Sequence, residues 1–233
     1  MYKGIDIKPP FFEIGPKAYL YGEEMLKLAK VIDKVALKYD LDVIVTPQYT
    51  DIQLLAQNTE RILVFAQHMD PLPVGRGLGS VLPEAVKAAG AVGVMLNHAE
   101  KPISLETVAG TIKRADEVGL ATIVCADTLE DVKNIAKMGP NLIVAEPTEL
   151  IGTGKTSDAN YVVDTIKAVQ EINPEIMVLQ GAGISNGQDV YNTIKLGAQA
   201  TGSTSGIIKA ADPYAMVEEM LYNLRKAWDE MHA

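Results

Sequence analysis

VAEPTELIGTGK, residues 144–155, decides how the rest of the chain is read. The apolar run 142–145 has the length of a buried strand and delivers a carboxylate, Glu146, to its end. Pro147 stops the strand at once, because proline has no N–H to give to a ladder. Glycines at 152 and 154 follow, and their backbone N–H groups can come close to an anion. A carboxylate at a strand end followed by a glycine loop points to a general base beside a phosphate group.

Outward from this stretch, short apolar runs alternate with amphipathic ones. That is the pattern of a parallel sheet covered by helices. Strands are expected over 11–17, 42–47, 62–67, 91–97, 120–125, 142–145, 176–180 and 198–202. The first is interrupted by Gly15 and Pro16. Helices are expected over 22–39, 50–57, 83–89, 105–118, 128–138, 158–172, 187–196 and 213–231. Candidate N-caps are Thr50, Ser104, Asp127 or Thr128, Asp158, Asn186 and Asp212, the last with Pro213 at the first helical position.

Eight strand–helix units predict an α/β fold, a (β/α)8 barrel forming one domain over residues 1–233. The competing architecture is an open doubly wound sheet. No G-x-G-x-x-G follows the first strand, and nothing marks a reversal of strand order. In a barrel, catalytic groups stand where strands end. Lys17, Gln48, Gln67, His68, Asp70, Asn97, His98, Glu100, Asp127, Glu146 and the turns 181–185 and 203–205 would then share one mouth.

Composition narrows the partners. Hydrophobic residues make up 48% and charged residues 22%, the values of a globular chain. A formal net charge of −9 argues against a nucleic-acid groove or an anionic membrane surface, but a small phosphorylated ligand needs only a local positive field. No apolar run approaches the ~18–20 residues of a membrane span. The opening MYKGIDIKPPFF lacks the apolar centre of a secretory leader. Cys125, the single cysteine, fits a reducing compartment, so a cytoplasmic location is expected.

Five segments together resemble the triosephosphate isomerase family, in its shorter, archaeal-type branch. They are IGPK at 14–17, FAQH at 65–68, LNHAE at 96–100, EPTELIGTGKT at 146–156 and GAGIS at 181–185. The resemblance runs from about residue 14 to the C-terminus. It implies an aldose–ketose isomerase for dihydroxyacetone phosphate and glyceraldehyde 3-phosphate, with no cofactor. It also implies Glu146 as the base, His98 as hydrogen-bond donor to the enediolate oxygens and Lys17 as the fixed cation. A carboxylate base, a polarising donor and a cation are what enolisation needs.

By the same resemblance residues 147–157 form a lid, with Gly152 giving its N–H to phosphate. Gly183 and Ser185 in the seventh loop, with Thr204 and Ser205 in the eighth, complete a phosphate cradle, and Glu100 packs near Lys17. Family members associate through the third loop, so a homodimer or homotetramer is expected.

The departures fall in one neighbourhood. Gly15 stands where the family carries an asparagine that donates to the substrate oxygen. Leu78 replaces a threonine that reaches across the dimer interface, and Ala99 a serine after the histidine. Gly15 is expected to open space for a longer, four- or five-carbon ketose phosphate, which makes a paralogous isomerase the alternative. A third reading is a phosphate-binding barrel whose catalysis has faded. A metal reading of His68, Asp70, His98 and Glu100 is set aside, because the resemblance accounts for them without a metal.

Overall fold

The computed structural model describes residues 1–233. Eight parallel strands close into a barrel in sequence order. They are β1 (Phe11–Ile14), β2 (Asp42–Val45), β3 (Leu63–Ala66), β4 (Gly93–Leu96), β5 (Ala121–Ala126), β6 (Leu142–Ala145), β7 (Met177–Gln180) and β8 (Ala200–Gly202). Closure is made by β1 against β8, with Glu13 in register with Gly202. The helices outside are α1 (Gly22–Tyr39), α2 (Ile52–Ala56), α3 (Pro83–Ala88), α4 (Leu105–Val118), α5 (Leu129–Ala136), α6 (Ala159–Ile172), α7 (Gly187–Lys195), α8 (Ser205–Ile208) and α9 (Pro213–His232).

Strand alternation divides the core into two layers. Phe11, Ile44, Phe65, Met95, Ile123, Val144 and Leu179 fill the barrel interior. Phe12, Val43, Val45, Val64, Val94, Val124 and Ile143 point outward to the helices. Tight fit is visible at β4, where a Cβ on Gly93 would lie 2.1 Å from a ring carbon of Phe65. The same alternation places Glu13 and position 15 on the inward face of β1, above Phe11.

Four of the expected caps are made as read: Ser104, Asp158, Asn186 and Asp212 each accept a backbone N–H of the helix they start. Between Asp127 and Thr128, it is Thr128 that caps, in a reciprocal box with Asp131. Thr50 does not cap. It lies inside a single 3-10 turn, Tyr49–Asp51, and its hydroxyl turns to Asp51. The first strand also ends earlier than expected, at Ile14, since Pro16 cannot donate to a ladder. The eighth loop holds one short helix, α8, that periodicity could not reveal in four residues.

Candidate active site

The strand ends open onto a cavity of about 560 Å³ lined by Lys17, His98, Glu100, Glu146, Gly152, Thr204 and Ser205, with Gly15 and Glu13 on its β1 side. Of the residues singled out in the sequence, Gln48 and Gln67 also line it, whereas His68, Asp70, Asn97, Asp127, Gly183 and Ser185 stay out of the lining. Ser185 turns its hydroxyl onto the Gly183 carbonyl at 3.2 Å and its N–H onto Asp189 at 2.9 Å.

Glu146 continues the inward face that Leu142 and Val144 occupy on β6. Its backbone N–H is tied to the Ala126 carbonyl at 2.9 Å, while its carboxylate has no hydrogen bond within the protein. Gly181 makes room for it, since a Cβ there would sit 3.2 Å from the Glu146 carboxyl carbon. Burial raises the Glu146 pKa above the ordinary carboxylate value; Lys17 opposes this and Glu100 adds to it. A partly desolvated carboxylate without partners is a strong proton acceptor.

His98 follows Asn97, whose backbone takes the left-handed conformation at φ 58°. Asn97 holds that turn by donating to the Cys125 carbonyl and accepting the Ile103 N–H. The Glu100 N–H donates to His98 Nδ1 at 3.1 Å. Burial, and then the charge of Lys17, lower the His98 pKa, while Glu100 raises it slightly. The imidazole is therefore neutral with its proton on Nε2.

Lys17 also has a positive φ, 50°, a conformation that non-glycine residues take only when the surroundings impose it. Two side chains impose it: Gln48 and Gln67 each donate an amide N–H to the Lys17 carbonyl, at 2.7 and 2.9 Å. Neither glutamine announces this in the sequence beyond its place at a strand end. The Lys17 ammonium meets Glu100 at 2.9 Å, and that hydrogen bond lowers the Glu100 pKa.

The glycine loop begins at a fixed hinge, where the Thr148 N–H donates to Asp127 Oδ1 at 2.8 Å. Its far end packs on the seventh loop: a Cβ on Gly183, at φ +72°, would lie 1.9 Å from the Lys155 carbonyl oxygen. Only glycine fits there.

One sequence expectation meets the structure differently. Gly15 does not open free space. A Cβ on it would stand 3.0 Å from Glu13 Oε1, 3.2 Å from Thr46 Oγ1 and 3.4 Å from Thr204 Oγ1. The carboxyl of Glu13 fills the region a side chain at 15 would use. Glu13 carries a single signal in the sequence, an acid inside the apolar strand FFEI. Leu78 is fully exposed on the third loop, as is most of Val74. His68 is buried and bonds Asp70 at 3.1 Å; no group of three or more His, Cys, Asp or Glu side chains is placed to hold a metal ion. No helix is long and apolar enough to cross a membrane.

Fold and site together define a (β/α)8-barrel isomerase. The family model described as triosephosphate isomerase matches residues 14–220. A triosephosphate isomerase of Sulfurisphaera tokodaii is 40% identical over 227 residues, covering 96% of this chain and 99% of the relative. One from Methanobacterium bryantii is 42% identical over 209 residues, covering 88% and 92%. The crystal structure of triosephosphate isomerase from Bartonella henselae superposes with a TM-score of 0.77 at 14% identity, over 96% of this chain and all of that one, a likeness of fold. The chain belongs to the triosephosphate isomerase family.

Proposed function

We propose that this chain interconverts dihydroxyacetone phosphate and glyceraldehyde 3-phosphate through an enediolate. The Glu146 carboxylate removes a proton from the carbon beside the carbonyl and returns it to the neighbouring carbon. His98 Nε2–H donates to the oxygens on both carbons, so that negative charge developing on either is met by a hydrogen bond. The Lys17 ammonium, anchored by Glu100, supplies the fixed positive charge. The phosphate ester lies under the lid, at the N–H of Gly152, with Thr204 and Ser205 around it, while Gly183 and Ser185 support the seventh loop behind it. Proton transfer within one substrate is redox-neutral, so the reaction calls for no cofactor.

One observation carries this reading: an unpartnered carboxylate, a neutral imidazole with a defined tautomer and an ammonium line one cavity beneath a glycine loop. The chain acts as one domain over 1–233 in a reducing cytoplasm. Copies associate through the third loop as a homodimer or homotetramer, for which the exposed apolar side chains of Val74 and Leu78 supply contact surface.

The test is an isomerase assay on triose, tetrulose and pentulose phosphates, with Glu146→Gln as control. Triose phosphates should turn over fastest, and the variant should lose at least about 10²–10⁴-fold in kcat, the contribution of a general base. Equal or faster turnover of the longer ketose phosphates would replace this substrate assignment. Binding without turnover of any of them would make the chain a phosphate-binding barrel.

A further inference from the structure

Glu13 is a carboxyl that the mechanism above does not use. It is 9% exposed, it belongs to the inward face of β1, and it lines the same cavity as Glu146, His98 and Lys17. The Thr46 hydroxyl donates to its Oε1 at 3.0 Å. Its Oε2 has no hydrogen-bond partner in the protein; Gly202 keeps that side clear, since a Cβ there would come within 3.1 Å of it. A Cβ on Gly15, two residues on and just past the end of the strand, would lie 3.0 Å from Oε1. The two positions thus compete for one volume, and the carboxyl of residue 13 holds it.

We propose that the Glu13 carboxyl takes the place of a side-chain donor at position 15 and hydrogen-bonds the reacting oxygen of the substrate. Glu13 is then a further catalytic residue, and this assignment rests on the isomerase reading above. The donor is Oε2–H, because Oε1 already accepts from Thr46. The proton stays on Glu13 throughout; the one that moves between carbons is carried by Glu146.

The surroundings favour the form of the group that can donate. Burial pushes the Glu13 pKa up to about 7; the Thr46 hydrogen bond opposes this, the Glu146 charge adds to it and Lys17 opposes it. Glu146 and Lys17 are the charged groups that face Glu13 across the cavity, and the Cys125 thiol on β5, itself raised by burial, is the other titratable neighbour. A carboxylic acid kept neutral by an apolar site is a known donor to an enolate oxygen. A bare carboxylate there would accept nothing from the substrate oxygen and would repel the enediolate.

The experiment compares wild type, Glu13→Gln and Glu13→Ala. Dihydroxyacetone phosphate is the substrate, kcat and KM are read from pH 5 to 9, and infrared difference spectra are recorded on adding the same ligand. Glu13→Ala should lose about 10²–10³-fold in kcat, the loss typical of one oxyanion donor, with KM changed far less. Glu13→Gln keeps an N–H donor, so it should retain most of kcat and lose the wild-type decline above pH 7. The carbonyl band of a protonated carboxyl should shift on ligand binding in wild type and be missing from Glu13→Gln.

Unchanged kcat and pH profile in a folded Glu13→Ala would overturn the proposal. So would equal losses in the two variants, or a carboxyl band that ignores the ligand. If wild type fails to isomerise triose phosphates while the band still shifts, the isomerase reading falls and the Glu13–oxygen contact stands.

Discussion

The backbone N–H of Glu100 donates to Nδ1 of His98 over 3.1 Å, so a main-chain group two residues away selects the tautomer of the imidazole. A protonated imidazolium has no lone pair on Nδ1 to accept that bond. Burial and Lys17 act in the same direction, holding the ring neutral. Nitrogen-15 spectra should show His98 protonated on Nε2, titrating below the ordinary histidine value of about 6.5. Replacing Lys17 by Met removes the second cause of the shift and should move that titration upward. A His98 that is cationic at neutral pH would contradict this account.

Gly183 meets the far end of the proposed lid at Lys155. Alanine there is strained twice: a left-handed φ costs about 1–2 kcal/mol, and its Cβ meets the Lys155 carbonyl at 1.9 Å. The lid end must move away, so Gly183→Ala should raise KM for triose phosphate about tenfold or more. Global stability should fall by only a few kcal/mol. An unchanged KM would show that the lid closes without this contact.

At the other end, Asp127 receives the Thr148 N–H at 2.8 Å and anchors the first turn of the lid, Thr148–Leu150. Asp127→Ala frees that hinge without touching the cavity wall. Both kcat and KM should worsen together, by about tenfold, as expected of a residue that governs closure. Limited proteolysis should cut the variant sooner within residues 147–157. Wild-type kinetics combined with wild-type resistance to cleavage would remove Asp127 from the hinge.

Glu13 also makes stability depend on pH. Its folded pKa, about 7, lies above its ordinary value of 4.5, so between these limits the unfolded chain binds fewer protons and stability falls as pH rises. Glu146, raised in the same direction, adds to the fall, while His98, lowered, opposes it near its own titration. The interval for Glu13 alone corresponds to about 3 kcal/mol. Urea midpoints should therefore drop from pH 4.5 to pH 8 more steeply in wild type than in Glu13→Gln. Parallel curves for the two proteins would mean that Glu13 titrates in its ordinary range.

The alternation of apolar runs and amphipathic stretches was enough to define the barrel, because the strands are short and largely buried on both faces, and five of the nine helices start at a capping side chain. Those are local properties, written in neighbouring residues such as Ser104 with Thr107 or Thr128 with Asp131. The same locality made Glu146 and its glycine loop readable, since acid, proline and glycines are consecutive. Thr50 misled because an N-cap and a 3-10 turn draw on the same polar residues.

What the sequence could not decide are distances between residues far apart along the chain. Gln48 and Gln67 converge on the Lys17 carbonyl, and Glu13, Thr46 and Thr204 meet beside Gly15, only because barrel closure brings β1, β2, β3 and β8 together. Read alone, a glycine at position 15 signifies an empty place. The closed barrel fills it with a carboxyl from two residues earlier, because side chains of alternate residues on one strand share an inward face and must divide its volume between them.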